Sequence, residues 1–200
     1  MAGRGRLALL VYGLMGALAF GWGALRGQPN LYHHPEPWLT LDFPYPTLLS
    51  LGLGLAVAVA VIYASRVLVR RARWARELHV EFRSVLGPVT STDIAILAVS
   101  SGLSEELLFR GAMQPTLGLV LSSVIFGLVH IGPNRRFLPW TAWALLMGFV
   151  FGGVYELTGE LLGPVIAHVL INHQNLHFIR RHDPEPRDKK AAVPQTPRLI

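Results

Sequence analysis

The chain reads as an all-α integral membrane protein, a bundle of about six transmembrane helices with one interfacial amphipathic helix. Three observations lead there. Of its 200 residues, 52% are hydrophobic and 15% charged, against the ~25% charged that soluble domains carry, and the mean hydropathy is +0.41. The apolar residues come in long uncharged runs, each near the ~20 residues that cross a bilayer as a helix. Ten-residue alternating strands of the barrel type do not occur. Lys and Arg cluster in the short segments between the runs, as membrane topology predicts. Because hydrocarbon offers no partner to a backbone N–H or C=O, helices are the spanning form that fits.

The first run, Leu7–Leu25, follows two arginines as a signal peptide would, but no convincing cleavage site follows it, and it reads as a retained helix. The next segment, 26–46, holds Pro29, Pro35, Pro37, Pro44 and Pro46 with Tyr32, Trp38 and Tyr45, which suits irregular chain at the membrane surface. A second span lies within Thr47–Val69, where Gly52 and Gly54 allow close helix contact. Arg66–Gly87 mixes six Arg and two Glu with Trp74, Leu78, Phe82 and Val85. Those four share one helical stripe, the pattern of a helix lying along the headgroups. Pro88 and the cluster Thr90-Ser91-Thr92-Asp93 break and cap. Further spans follow at Asp93–Met113, Leu117–Ile131, Leu138–Tyr155 and Leu161–Ile179, with a tight turn expected at Pro115 and Gly118. The chain thus divides into 1–92 (two helices and the amphipathic linker), a four-helix core at 93–179, and a polar tail at 180–200 expected to be disordered.

Absence of cysteine excludes disulfides, thiolate nucleophiles and Cys-ligated metal. The net charge of +6 is not a nucleic-acid signal here, because the basic residues sit between spans. Sixteen of them fall on one side of a six-span arrangement and only Arg26 clearly on the other, which predicts both termini in the cytoplasm. The preponderance of Arg over Lys hints at a GC-rich bacterial genome, hence a multi-pass protein of the inner (plasma) membrane whose partners are lipid and membrane-anchored polypeptide.

Polar residues inside the apolar runs carry the chemistry. Ser101–Gly111 reads SGLSEELLFRG. Each ionised side chain at a bilayer centre costs at least ~2.5–3.5 kcal/mol, so such groups need partners, water or a task. Glu106 and Arg110 lie four apart and can pair on a helix. Glu105 is rotated about 100° from Glu106 and stays free. Phe126 and His130 share a helix face, as do His168 and Asn172. Two His, one Asn and two Glu on three spans can converge on one wet cavity. A carboxylate beside an imidazole can deprotonate water, while a second imidazole and a carboxamide can hold an oxyanion. These groups suffice for amide hydrolysis without cofactor or metal. There is no H-E-x-x-H or G-x-S-x-G, and Ser100, Ser101 and Ser104 read as small helix-contact residues.

Glu105-Glu106-x-x-x-Arg110, Phe126-x-x-x-His130 and His168-x-x-x-Asn172, in this order, resemble the CAAX prenyl proteases and bacteriocin-processing enzymes, the CPBP group of glutamic intramembrane proteases. The resemblance covers about half the chain. It implies that Glu105 and His130 activate the attacking water, that His168 and Asn172 form the oxyanion pocket, and that Glu106, Arg110 and Phe126 support them. It further implies an endopeptidase cleaving a membrane-associated protein or its C-terminal tail. The charge count puts the Arg110 end outside, which would suit the outward-facing myxosortase branch. Two other readings use the same residues: a non-catalytic immunity or scaffold protein on this fold, or a metal-dependent hydrolase or metal transporter with Glu105, His130 and His168 as ligands.

Overall fold

A computed structural model describes residues 3–184. It is all helical, and among these residues the one β-type pairing is an isolated bridge between His33 and Glu160. The helices are α1 (Gly3–Leu25), α2 (Tyr45–Arg71), α3 (Arg73–Leu86), α4 (Ser91–Glu106), α5 (Gln114–Leu128), α6 (Leu138–Thr158) and α7 (Leu162–Arg181). A π-helical turn, Leu107–Met113, joins α4 to α5, and a 3-10 turn, Arg135–Phe137, precedes α6. Among the described residues, four stretches are long and apolar enough to cross a membrane: Gly5–Leu25, Tyr45–Arg71, Ser91–Leu128 and Arg135–Thr158.

The third and fourth expected spans run together in composition as one 38-residue stretch, but the helix is broken within it at Gly118. Pro115 does not turn the chain: it follows directly on the π turn, and the backbone on either side of it stays helical. The bend comes at Gly118, whose φ of +77° and ψ of 166° only glycine adopts cheaply. The α5 arm beyond it is short, so His130 at its end stays at the depth of the α4 terminus.

The expected surface helix is also divided. α2 continues through Arg71, and Ala72 turns extended (φ −106°, ψ 129°) before α3 begins, which lets the chain change direction. On α3, Ala75 and His79 are buried while Trp74 and Val85 remain exposed, so the stripe does not face one way. Leu78 and Phe82 line a groove between α3 and the bundle. Arg83 fastens α3 to α7. Its Nη1 donates to the carbonyls of Ile179 and Arg180, both at 2.9 Å, and of His182 at 3.1 Å, which places a cation on the helix C-terminus. Arg136 pairs with Glu81 on the same side.

Close approach of α2 and α7 depends on Gly54, which lies against the Gly163 backbone, and on Ser50, whose hydroxyl donates to Glu160 O (2.8 Å) and accepts from Gly163 N (3.0 Å). Gly52, the other glycine with this expected role, faces open space. Residues from both sides of position 92 share the core: Ala58 and Val61 pack with Met147, Phe151, Ala167 and Ile171, and Ala19 packs with Leu107, Ala112 and Tyr155.

Segment 26–44 is more ordered than loose interfacial chain. Leu31 is fully buried against the Gly111 backbone, and His34 N, Trp38 N and Leu161 N bond to Gly159 O, Glu156 O and Tyr32 O across the α6–α7 turn. Buried backbone groups must be paired, and this strap pairs them. α7 extends through Arg181, so the first residues of the expected tail are helical. Residues 185–200 of that tail lie outside the described residues.

Candidate active site

α4 starts at a capping box in which Thr90 Oγ1 accepts from Asp93 N and Asp93 Oδ2 accepts from Thr90 N, both at 3.1 Å. It ends at the two glutamates, where the helix widens into the π turn, and Gln114 N bonds to Phe109 O. Single π turns are often found at functional sites. Across this turn Arg110 Nη1 donates to Glu106 Oε1 at 3.1 Å, and Nη2 reaches Gly148 O (3.2 Å) and Met147 O (3.4 Å) on α6. The guanidinium also stands 4.2 Å from the centroid of Phe126. Glu106 is 0% exposed and Arg110 1%. One turn on, Gln114 donates to Gly152 O and Glu156 Oε1, both at 3.0 Å.

Glu105 faces two imidazoles. Its Oε2 lies 3.5 Å from His130 Nε2 and 3.8 Å from His168 Nε2. His130 Nδ1 donates to Phe126 O at 2.6 Å, and His168 Nδ1 donates to Glu106 Oε1 at 2.6 Å. Both acceptors can only accept, so these contacts place a proton on each Nδ1 and leave each Nε2 aimed at Glu105. At 3.5 Å the Glu105–His130 contact is longer than a good N–H···O bond, and Glu105 Oε2 is buried without a hydrogen-bond partner. Phe151 stacks on His168 with centroids 5.4 Å apart, and Phe126 lies against His130 at 4.5 Å. Asn172 Nδ2 donates to Ser101 Oγ at 3.0 Å.

A cleft of about 160 Å³ runs between these groups. Glu105, His130, His168, Asn172 and Phe126 all line it, while Glu106 and Arg110 lie behind its wall. Tyr12, Ser101, Trp140 and Trp143 line it too and were not singled out for the site from sequence. Ser101 stands one turn before Glu105 on the same face, and Tyr12 is the one phenol in its apolar run, so both carried a signal. Phe151 carried none. The Glu106–His168 bond joins two helices and could not be read from spacing within either. Among the described residues, no group of three or more His, Asp or Glu is arranged to hold a metal ion.

The span from Pro88 to His173 matches the family described as type II CAAX prenyl endopeptidase Rce1-like. It contains all three paired motifs. Among curated proteins, the chain is 33% identical over 109 residues to the uncharacterized protein YpbD of Bacillus subtilis (strain 168), covering 49% of this chain and 56% of that one. It is 33% identical over 82 residues to the UPF0177 protein YxdF of Lactococcus lactis subsp. lactis (strain IL1403), covering 38% and 44%. It is 32% identical over 87 residues to a second Bacillus subtilis (strain 168) protein, named "Putative membrane peptidase YdiL", covering 40% and 34%. The chain thus spans about half or less of the length of these relatives. No solved structure matches. The Rce1-like region supplies α4 to most of α7, and α1 to α3 lie outside the match.

Proposed function

We propose that this protein is a glutamic-type intramembrane endopeptidase that hydrolyses a peptide bond of a membrane-anchored protein. The observation that carries the reading is the meeting of Glu105 Oε2 with the Nε2 atoms of His130 and His168, at 3.5 and 3.8 Å, from three different helices. The Rce1-like match supports the same class.

A water between Glu105 and His130 can donate one hydrogen to the carboxylate and the other to the His130 Nε2 lone pair. That lone pair faces the water because Nδ1–H is held by Phe126 O. As the water oxygen attacks the scissile carbonyl carbon, its proton passes to Glu105. The carbonyl oxygen becomes an oxyanion, which the free Asn172 N–H and a protonated His168 Nε2–H can hold, with Glu106 supporting the imidazolium from Nδ1. Glu105 then returns the proton to the amide nitrogen, the C–N bond breaks, and a carboxylic acid and an amine leave. Trp140 and Trp143 line both the cleft and the apolar groove of about 140 Å³ beneath α3. Substrate therefore reaches Glu105 from the end that carries Arg66, Arg83 and Arg136, which the charge rule makes cytoplasmic in an inner-membrane protein with both termini inside. With access at that end, an outward-facing branch is not needed to account for the charge count.

The test is cleavage by protein reconstituted in phosphatidylethanolamine–phosphatidylglycerol liposomes, using a farnesylated C-terminal tail peptide and an unlipidated single-span peptide. Wild type should cleave at least one, with chelator present or absent. Glu105→Gln keeps the shape and should lose about 10²-fold or more. A Glu105→Gln protein at the wild-type rate would overturn the reading.

A further inference from the structure

Tyr12 belongs to α1, outside the Rce1-like match, yet its phenol reaches the cleft between Ser101 and Glu105. Resting on the reading above, we infer that Tyr12 is a positioning residue for the reaction, its hydroxyl donating a hydrogen bond that orients the Glu105 carboxylate toward the attacking water. The phenol lines the same cleft as the Glu105 carboxylate and the Ser101 hydroxyl. An ionised carboxylate can only accept, so the phenol O–H is the donor to Glu105. Its oxygen is then left to accept from Ser101, whose own oxygen accepts from Asn172 Nδ2 at 3.0 Å. The inferred bond completes a directional chain, Asn172 to Ser101 to Tyr12 to Glu105, whose first link is the Asn172–Ser101 bond and in which each bond would polarise the next. The other acceptor open to Ser101, the Ala98 carbonyl, is at the longer distance of 3.4 Å.

Glu105 needs such a donor. His130, His168 and Arg110 are the charged or chargeable groups facing it, and Glu106 is its chain neighbour. Arg110 is engaged with Glu106 and α6, and both imidazoles stand beyond good hydrogen-bond length. The carboxylate's rotamer is therefore not fixed by the residues of the family motifs alone. Gly16, one turn from Tyr12 on α1, faces Ser104 on α4.

Two measurements on the reconstituted full chain test the inference. In steady-state cleavage of whichever of the two peptides the wild type cleaves faster, Tyr12→Phe should lower kcat about 10- to 100-fold, as expected for losing one hydrogen bond to a charged group. KM should change less than twofold, and Tyr12→Phe added to Glu105→Gln should bring no further loss. In infrared spectra, the Glu105 carboxylate band, identified by its loss in Glu105→Gln, should shift in Tyr12→Phe and stay put in Tyr63→Phe, an exposed tyrosine on α2. A wild-type kcat in Tyr12→Phe, or an unmoved carboxylate band, would overturn the inference. The infrared arm uses no substrate, so it decides the Tyr12–Glu105 bond even if Glu105→Gln proves active and the proteolytic reading falls.

Discussion

Arg110 joins three elements through one guanidinium: Glu106 on its own helix, two carbonyls of α6, and the face of Phe126. Removing it strands Glu106 in a buried place and takes the side-chain donor from Met147 O and Gly148 O. Breaking a buried charge pair by deleting one partner costs about 3–5 kcal/mol. Arg110→Ala should therefore lower the yield of folded protein, measured as monodisperse material after extraction, and Arg110→Lys should not restore it, since one ammonium cannot reproduce the planar fork. Well-folded Arg110→Ala that lacked activity would instead give Arg110 a part in the chemistry. The pairing of Glu106 with Arg110 was legible from their spacing of four. What was not legible is that Glu106 also holds His168, because that contact depends on how α4 and α7 cross. Glu106→Gln should separate the two tasks, keeping a hydrogen bond to Arg110 while loosening the His168 ring, so that kcat falls more than folded yield.

Helix contacts set the site's dimensions at the next scale. A Cβ on Gly102 would stand 2.7 Å from Val169 Cγ2 and 3.0 Å from Val169 N, so Gly102→Ala must push α4 away from α7. Glu105 and Glu106 ride on α4, and His168 on α7. Helix content by circular dichroism should be kept while cleavage drops at least tenfold, because small misplacements of reacting groups are expensive. Adding Val169→Ala should recover little, since the backbone contact remains; full recovery would show that only side chains clash. At the surface, Arg83→Ala removes the three hydrogen bonds that fasten α3 to α7. Faster amide exchange confined to α3 is the expected result, and unchanged exchange would count against α3 being held there. The amphipathic character of α3 was visible in its stripe. Its actual inward face, Ala75 and His79 with Leu78 and Phe82, was not, because the stripe alone cannot tell the bundle from lipid. The π turn was likewise hidden, whereas the bend at Gly118 falls within the tight turn that Pro115 and Gly118 led one to expect.

Over the whole molecule, the basic side chains Arg66, Arg83, Arg136 and Arg180 gather at one end through their contacts with α3 and the end of α7. Arg26 sits at the other end on Ala112 O and Thr116. Lacking cysteine, the chain allows clean single-cysteine labelling. Arg76→Cys should label from the cytoplasmic side only and Asn30→Cys from the outer side only; the reverse pattern would turn the protein over. Most of the apolar runs and the motif pairs were readable because bilayer thickness and helical repeat leave few alternatives. The contribution of α1 was not, since nothing within 7–25 says which helix it packs against. The central claim is that α4 and α5 bring Glu105 and His130 to one water as a single unit. The most direct measurement is kcat/KM for Glu105→Gln, His130→Ala and the double variant, all shown to fold alike. Groups acting together are non-additive, so each single variant should lose about 10²-fold or more and the double variant little beyond the worse of them. Losses that multiply in the double variant would contradict the account.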